Sequence, residues 1–246
     1  MLQLLRKLIK QGVRLNAANN ELKIQLGSIP VSNEDKEALK LHKKSIIEYL
    51  HGSKVACLSF QQERLWFLDQ LGYGFQYHVP GLGMIEGTLN AVALQQSIDF
   101  IIAIHESFRT NFKSIEGTPA QFVKPYVSLP IAYIDLSALN DAEKNHKKNT
   151  CVQAFIEQPF NLEEDVLFRI CLIKLAENYH AMVMCMHHII TDGWSMKVLL
   201  QDIQYAYNCF CKGTAPDSAP LKLQYMGYSS WQKEALTDEK LTNEFE

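Results

Sequence analysis

Residues 167–186, LFRICLIKLAENYHAMVMCM, constrain the fold more than any other stretch of this chain. Two runs of apolar residues flank the polar quartet AENY. Runs this short and this continuously apolar read as strands buried on both faces, joined here by a tight turn. Both are expected to be central strands. Helical patterns surround them. LSFQQERLWFLDQL has Ser59 at an N-cap and Leu65, Phe67, Leu68 and Leu71 on its apolar side. LNAVALQQSIDFIIAIHESF reads as one long amphipathic helix, and DAEKNHKKNTCVQAFIEQPF as a polar one that stops at Pro159. WSMKVLLQDIQYAYNCF places Val198, Leu199, Ile203, Ala206, Tyr207 and Phe210 on one face, and a last helix is centred on Tyr228–Trp231. HVPGLGMIEG and AQFVKP read as further strands, and KGTAPDSAP as a loop. Mixed elements with hairpin-like joins predict an α+β fold, an α/β sandwich rather than a doubly wound sheet.

The first fifty residues form a unit of different texture. Leu2, Leu5, Leu8 and Ile9 follow helical spacing, and Gly12 is placed to end that helix. Val13 and Leu15, then Leu22, Ile24 and Leu26, alternate with polar residues around Asn19-Asn20, which tolerate the positive φ of a two-residue hairpin turn. Ser32 caps one helix running to about Leu50, and Gly52 ends it. The order helix–hairpin–helix has a thin core, so it needs a partner or a self-association face.

Composition excludes several classes. The net charge is −3 with Lys and Arg scattered, which argues against a nucleic-acid binder. No apolar segment is long enough for a membrane span, and MLQLLRKLIKQG lacks a cleavage site, so a cytoplasmic protein is the default. The six cysteines show no metal-type spacing and read as reduced thiols.

The chemistry-bearing stretch is MHHIITDGWSM, residues 186–196. His187 and His188 stand at the end of the second buried strand. Adjacent strand residues point to opposite faces, so one histidine meets packed side chains and the other a cleft. Asp192 lies before a helix N-terminus, and Gly193 permits a backbone conformation or a close approach that a side chain would block. A histidine held in fixed orientation is the usual agent of proton transfer. Packing histidines and, less so, a metal pair share this spacing. Ser195 reads as a helix N-terminal residue, Trp66 and Trp231 as packing residues, and Tyr225 and Tyr228 as core rather than channel residues.

Here a family resemblance enters. MHHIITDGWSMKVL resembles the HHxxxDG core of nonribosomal peptide synthetase condensation domains. LSFQQERLWFLDQL resembles their SxAQxRLWFLxxL motif, HESFRTNF their RHExLRTxF motif, and YMGYSSWQ their YxDYAxWQ motif. PFNLEEDVLFRICLIKL resembles the segment that precedes the histidines. The first fifty residues are similar to docking domains of the tubulysin-synthetase type. The resemblance implies a docking domain over 1–52 and, over 55–246, the N-terminal lobe of a condensation domain with the chloramphenicol-acetyltransferase-like fold. It implies amide formation between donor and acceptor thioesters on phosphopantetheine arms of carrier proteins, in secondary metabolite biosynthesis. It implies no directly bound cofactor or metal. His188 is the implied active residue, as base or as a group that orients the amine and stabilises the tetrahedral intermediate. His187 is structural. Asp192 makes a buried ion pair with an arginine, Arg109 first and Arg64 second, and Gly193 gives room to the donor arm. The docking hairpin would receive the C-terminal tail of an upstream synthetase by strand addition at Leu22 and Ile24, with Lys10, Arg14, Lys23 and Lys36 attracting an acidic tail, and it offers a homodimer face.

The chain departs from the motifs at Ile104 (arginine in the family), Gly227 (aspartate), Ser229 (alanine) and Asn161 (aspartate). A full condensation domain has a second lobe, so the chain is expected to be a fragment of a longer synthetase and inactive as an isolated half. Two alternatives stay open: a docking fragment without catalytic activity, and a single-lobe trimeric acyltransferase using coenzyme A.

Overall fold

The computed structural model describes residues 1–27, 29–217 and 221–236. The end of the loop KGTAPDSAP and the last ten residues of the expected lobe lie outside them. The first unit opens with α1 (Leu2–Lys10) and the hairpin β1 (Arg14–Ala18) and β2 (Glu21–Gln25). Ala18 pairs with Glu21, and Asn19 and Asn20 have φ of 51° and 62°, as the two-residue turn requires. The single helix expected after Ser32 is two: α2 (Asn33–Leu41) and α3 (Lys43–Leu50), broken at His42 with φ −94° and ψ 7°. A straight helix would carry α3 away from the hairpin. The break lets Leu39 of α2 and Ile46 and Leu50 of α3 reach one core.

The lobe follows as β3 (Lys54–Cys57), α4 (Phe60–Leu68), β4 (His78–Glu86), α5 (Ala91–Ile104), β5 (Thr110–Ile115), β6 (Thr118–Val123), β7 (Ala132–Asp135), α6 (Asp141–Glu157), β8 (Phe168–Ala176), β9 (Tyr179–His187), α7 (Gly193–Cys211) and α8 (Tyr225–Ala235). HESF is not a continuation of α5. The helix stops at Ile104, and a short 3₁₀ turn leads into β5.

There are two sheets among the described residues. One runs β4-β9-β8-β7, with β7 parallel to β8 and the other pairs antiparallel. The expected central strands β8 and β9 are its centre. Ile170, Leu172, Met182, Met184 and Met186 face α5 and α7. Cys171, Ile173, Leu175, Ala181 and Val183 face α6. Both faces are covered, which is why these runs are apolar throughout.

The other sheet runs β2-β1-β3-β6-β5, all antiparallel. It crosses the boundary between the two units. Leu15 of β1 pairs with Val55 of β3, and Leu5, Leu8 and Ile46 share one cluster with Val55, Ile115, Ala120 and Phe122. The small unit's missing core is therefore supplied by the lobe. A third cluster, Leu58, Leu65, Phe112, Phe160, Leu167, Cys185 and Ile189, closes the seam between the sheets beneath the end of β9. Cys57, Cys171 and Cys185 are buried free thiols, whereas Cys211 is exposed.

Candidate functional site

Strand alternation decides which histidine is which. His187 continues the row Ala181, Val183, Cys185 and is 0% exposed. Its Nδ1 accepts the Ile189 N–H at 3.2 Å, so the ring proton sits on Nε2, a buried atom near the Gly74 backbone that makes no close hydrogen bond among the described residues. The rings of His78 and Phe160 stand edge-on to it at 6.2 Å and 6.4 Å. Burial, helped by His78 and His188, pushes this imidazole down to about 4. His187 is thus a neutral packing element at ordinary pH.

That has a measurable consequence. The folded group titrates below its ordinary 6.5, so the unfolded chain takes up the proton first. The contribution is complete above pH 6.5 and is lost as pH falls to about 4, roughly 3 kcal/mol in all. His187→Asn should flatten this part of the acid limb in a melting series from neutral pH to pH 4. An unchanged slope in the variant would place the acid sensitivity elsewhere.

His188 leaves the strand. Its backbone N–H donates to the Tyr77 carbonyl at 2.8 Å, and its ring Nδ1 lies 2.6 Å from the Thr191 carbonyl. A carbonyl only accepts, so Nδ1 carries a proton and Nε2 is the nitrogen left for a substrate. The half-buried ring lines a cavity of about 90 Å³ with Gln61, Ser107, Asp192, Ser195 and Tyr225. A second cavity of about 150 Å³ shares Ser107, Thr191 and Ser195 and runs along α7 past Val198 and Trp194, the latter 75% exposed.

The expected ion pair of Asp192 is absent. Asp192 is exposed and caps α7: its Oδ1 accepts the Ser195 N–H at 2.7 Å and the Ser195 hydroxyl at 2.6 Å. These bonds hold its carboxyl below the usual range. Arg109 donates to the Lys124 carbonyl at 2.6 Å and pairs with Glu106 at 3.6 Å, leaving its buried Nε unpartnered. Arg64 lies exposed on α4. With Ile104 where the family has arginine, the nearest donors to Asp192 are those of its own helix. Asp192→Ala should therefore cost about 1 kcal/mol and Asp192→Asn close to nothing in urea unfolding. A loss of several kcal/mol in both would restore a buried ion pair.

Gly193 also departs from its expected reason. A side chain there would meet no protein atom within 4 Å, and its φ is not in the left-handed region. The described atoms around Gly193 therefore impose no demand for glycine there. Trp231, expected to pack, is 59% exposed, while Trp66 packs partly against the seam cluster.

Other residues gather at this corner. Ser59 and Gln62 cap α4 reciprocally, and Gln62 Nε2 also reaches the Ile189 carbonyl at 3.4 Å. The Tyr225 hydroxyl lies 3.0 Å from Ser59 Oγ, and Ser229 Oγ donates to the Cys57 carbonyl at 3.1 Å. In HESF, His105 meets Asp202 of α7 at 3.0 Å and buried Glu106 binds Lys54. The sequence motifs therefore meet around the loop after β9. The Ser59 cap was visible in the sequence; the reciprocal bond of Gln62, its second bond to Ile189 and the approach of Tyr225 were not.

The sequence profile described as Condensation domain matches residues 53–245. The chain belongs to the condensation-domain family. Ahead of the condensation domain, residues 2–52 match the TubC N-terminal docking domain. Its relatives are nonribosomal peptide synthetases. One of the subunits of linear gramicidin synthase from Brevibacillus parabrevis is 37% identical over 76% of this chain and 4% of that protein. Malpibaldin synthetase of Mortierella alpina is 34% identical over 80% of this chain and 4% of that protein. The chain thus spans a few per cent of these relatives. Among solved structures, the X-domain in complex with OxyB from teicoplanin biosynthesis superposes with TM-score 0.66 at 26% identity, covering 77% of this chain and 39% of that one. The starter condensation domain of rhizomide synthetase gives 0.69 at 21% identity, covering 78% and 48%, a likeness of fold. The condensation domain accordingly has the chloramphenicol-acetyltransferase-like fold. No described helix is long and apolar enough to cross a membrane.

Proposed function

We propose that residues 55–246 are the first lobe of a condensation domain that forms an amide between two carrier-bound thioesters, and that residues 1–52 dock an upstream synthetase subunit. The observation that carries the catalytic part is the His188 ring. Its Nδ1 is tied to the Thr191 carbonyl and its Nε2 is free, at a cavity walled by the other motifs. The acceptor amine attacks the donor thioester carbonyl. A C–N bond forms, the C–S bond breaks, and the thiolate leaves on its phosphopantetheine arm. Nε2 accepts a hydrogen bond from the amine and takes its proton, which the departing thiolate can receive. His187, buried and neutral, sets the height of the strand end. Asp192 fixes the first turn of α7, and with it the wall that carries Ser195. Exposed Trp194 and Val198 beside the second cavity suit cover by another lobe, which would complete the tunnel and hold both arms in line. On this reading the isolated half is inactive.

The docking part rests on β2, whose outer edge is unpaired among the described residues, and on Leu22 and Ile24 in it. Arg14 and Lys23 lie on the opposite face of the same hairpin. An upstream tail would add there as a strand. The test is amide formation by the synthetase subunit containing this chain, with donor and acceptor carriers both loaded. Hydrolysis without amide product, in a protein that unfolds cooperatively, would overturn the catalytic reading.

A further inference from the structure

We propose that the condensation lobe builds half of the docking groove: Lys222 and Leu223 read alternate side chains of the same extended, acidic tail that pairs with β2. This rests on the docking reading above.

Two cavities lie beside β2 and share Ile24. One, about 510 Å³, lies on the helix side and is lined by Leu22, Ile24, Leu39, Lys36, Lys40 and Lys43. The other, about 400 Å³, lies on the opposite face, between Arg14, Lys23 and Lys54 of the sheet and Lys222 and Leu223 of the segment before α8. Ile24, 38% exposed, borders both. The register explains the division. Leu15 pairs with Ile24 and Ala17 with Leu22, so these four share one face. Arg14 pairs with Gln25 and Asn16 with Lys23, so these share the other.

A strand added to the edge of β2 sends its side chains alternately to the two faces. One row lies over Leu22, Ile24 and Leu39, which suits apolar side chains. The other lies over Arg14, Lys23 and Lys222. On the first side Lys40 is paired with Glu37, which leaves Lys36 and Lys43 at the rim. On the second side Glu106 is taken by Lys54 and Arg109. Arg14, Lys23 and Lys222 have no acidic partner among the described residues. The occupant that fits these two rows is an extended segment alternating acidic and apolar residues. Gly227 keeps the second cavity open: a Cβ there would stand 2.9 Å from Leu223 Cδ1 and 3.4 Å from Arg14 Nη1. The aspartate of the related motif at this place would engage Arg14 itself.

The experiment titrates the 246-residue chain with a fluorescein-labelled peptide of eight residues in which Asp or Glu alternates with Leu or Val. Lys23→Glu tests the hairpin and Lys222→Glu the lobe; exposed Lys212→Glu at the end of α7 is the control. Each of the first two should weaken binding about fivefold and reduce its salt dependence, with the control unchanged. Binding that is weakened by Lys23→Glu but not by Lys222→Glu overturns the lobe's share and leaves docking intact. No binding to the unaltered chain at millimolar peptide overturns docking, and this proposal with it. Equal binding of a peptide with the same residues in two blocks, acidic then apolar, overturns the alternating strand. Dimerisation by sedimentation that the peptide does not displace assigns the edge to a second copy and overturns the tail.

Discussion

Replacing His188 with alanine in the full synthetase subunit lowers the rate of amide formation by about 10²–10⁴-fold. The figure is what a positioned proton acceptor typically contributes, and the geometry assigns that position to one atom. Nε2 of His188 makes no hydrogen bond among the described residues, whereas both His187 nitrogens are enclosed, one by the Ile189 N–H and the other by burial. Asp192 is occupied by Ser195 and cannot serve as the base without uncapping α7. Because the His188 ring is half-buried, its loss should leave the melting temperature near that of the parent. Single-turnover kinetics with both carriers loaded reads the effect. A variant that condenses at the parental rate refutes the assignment.

Replacing Phe112 with alanine costs about 3–5 kcal/mol of folding stability. In a domain of this size that lowers the melting temperature by roughly 10 °C. Phe112 is 0% exposed and belongs to the seam cluster, together with Leu58 and Leu65 from one side and Cys185 and Ile189 from the other. Its backbone N–H also binds the Leu162 carbonyl at 2.9 Å, so the neighbouring chain cannot easily collapse into the space left behind. Ile189 directly follows His188. A void beneath it loosens the loop that orients the ring, so the condensation rate should fall along with stability, although Phe112 touches no substrate. Thermal denaturation and the same kinetic assay check both parts. A loss under 1 kcal/mol would show that the two sheets pack independently.

The parts legible from sequence were those set by local chemistry. Asn19-Asn20 fixed a hairpin turn because few other pairs accept positive φ twice in succession. Ser59 announced a helix start, and the apolar runs 167–175 and 181–186 announced strands covered on both faces. What was not legible came from distance in the chain. Thr110–Ile115 follows a long helical pattern, and only pairing with β6 makes it a strand. The break at His42 carries no proline or glycine; it arises because α2 and α3 must both close over one hairpin. The placing of the two histidines on opposite sides followed from strand alternation. The partner of Asp192 did not follow from the motif: neither Arg109 nor Arg64, the arginines expected there, reaches it. An exposed carboxylate at a helix start then takes the donors within its own turn.

The pairing of β1 with β3 has a consequence for assembly. Three residues separate α3 from β3, and the hairpin shares its backbone hydrogen bonds with the lobe's own sheet. No tether lies between them for thermal motion to swing. A tail captured on β2 is therefore held at a set distance and angle from the loop that carries His188. On the proposed docking reading, the search volume left to an upstream carrier would be that of its own linker alone, which would raise its effective concentration near His188. In such an arrangement, lengthening the incoming tail slows delivery, whereas capture itself is unchanged.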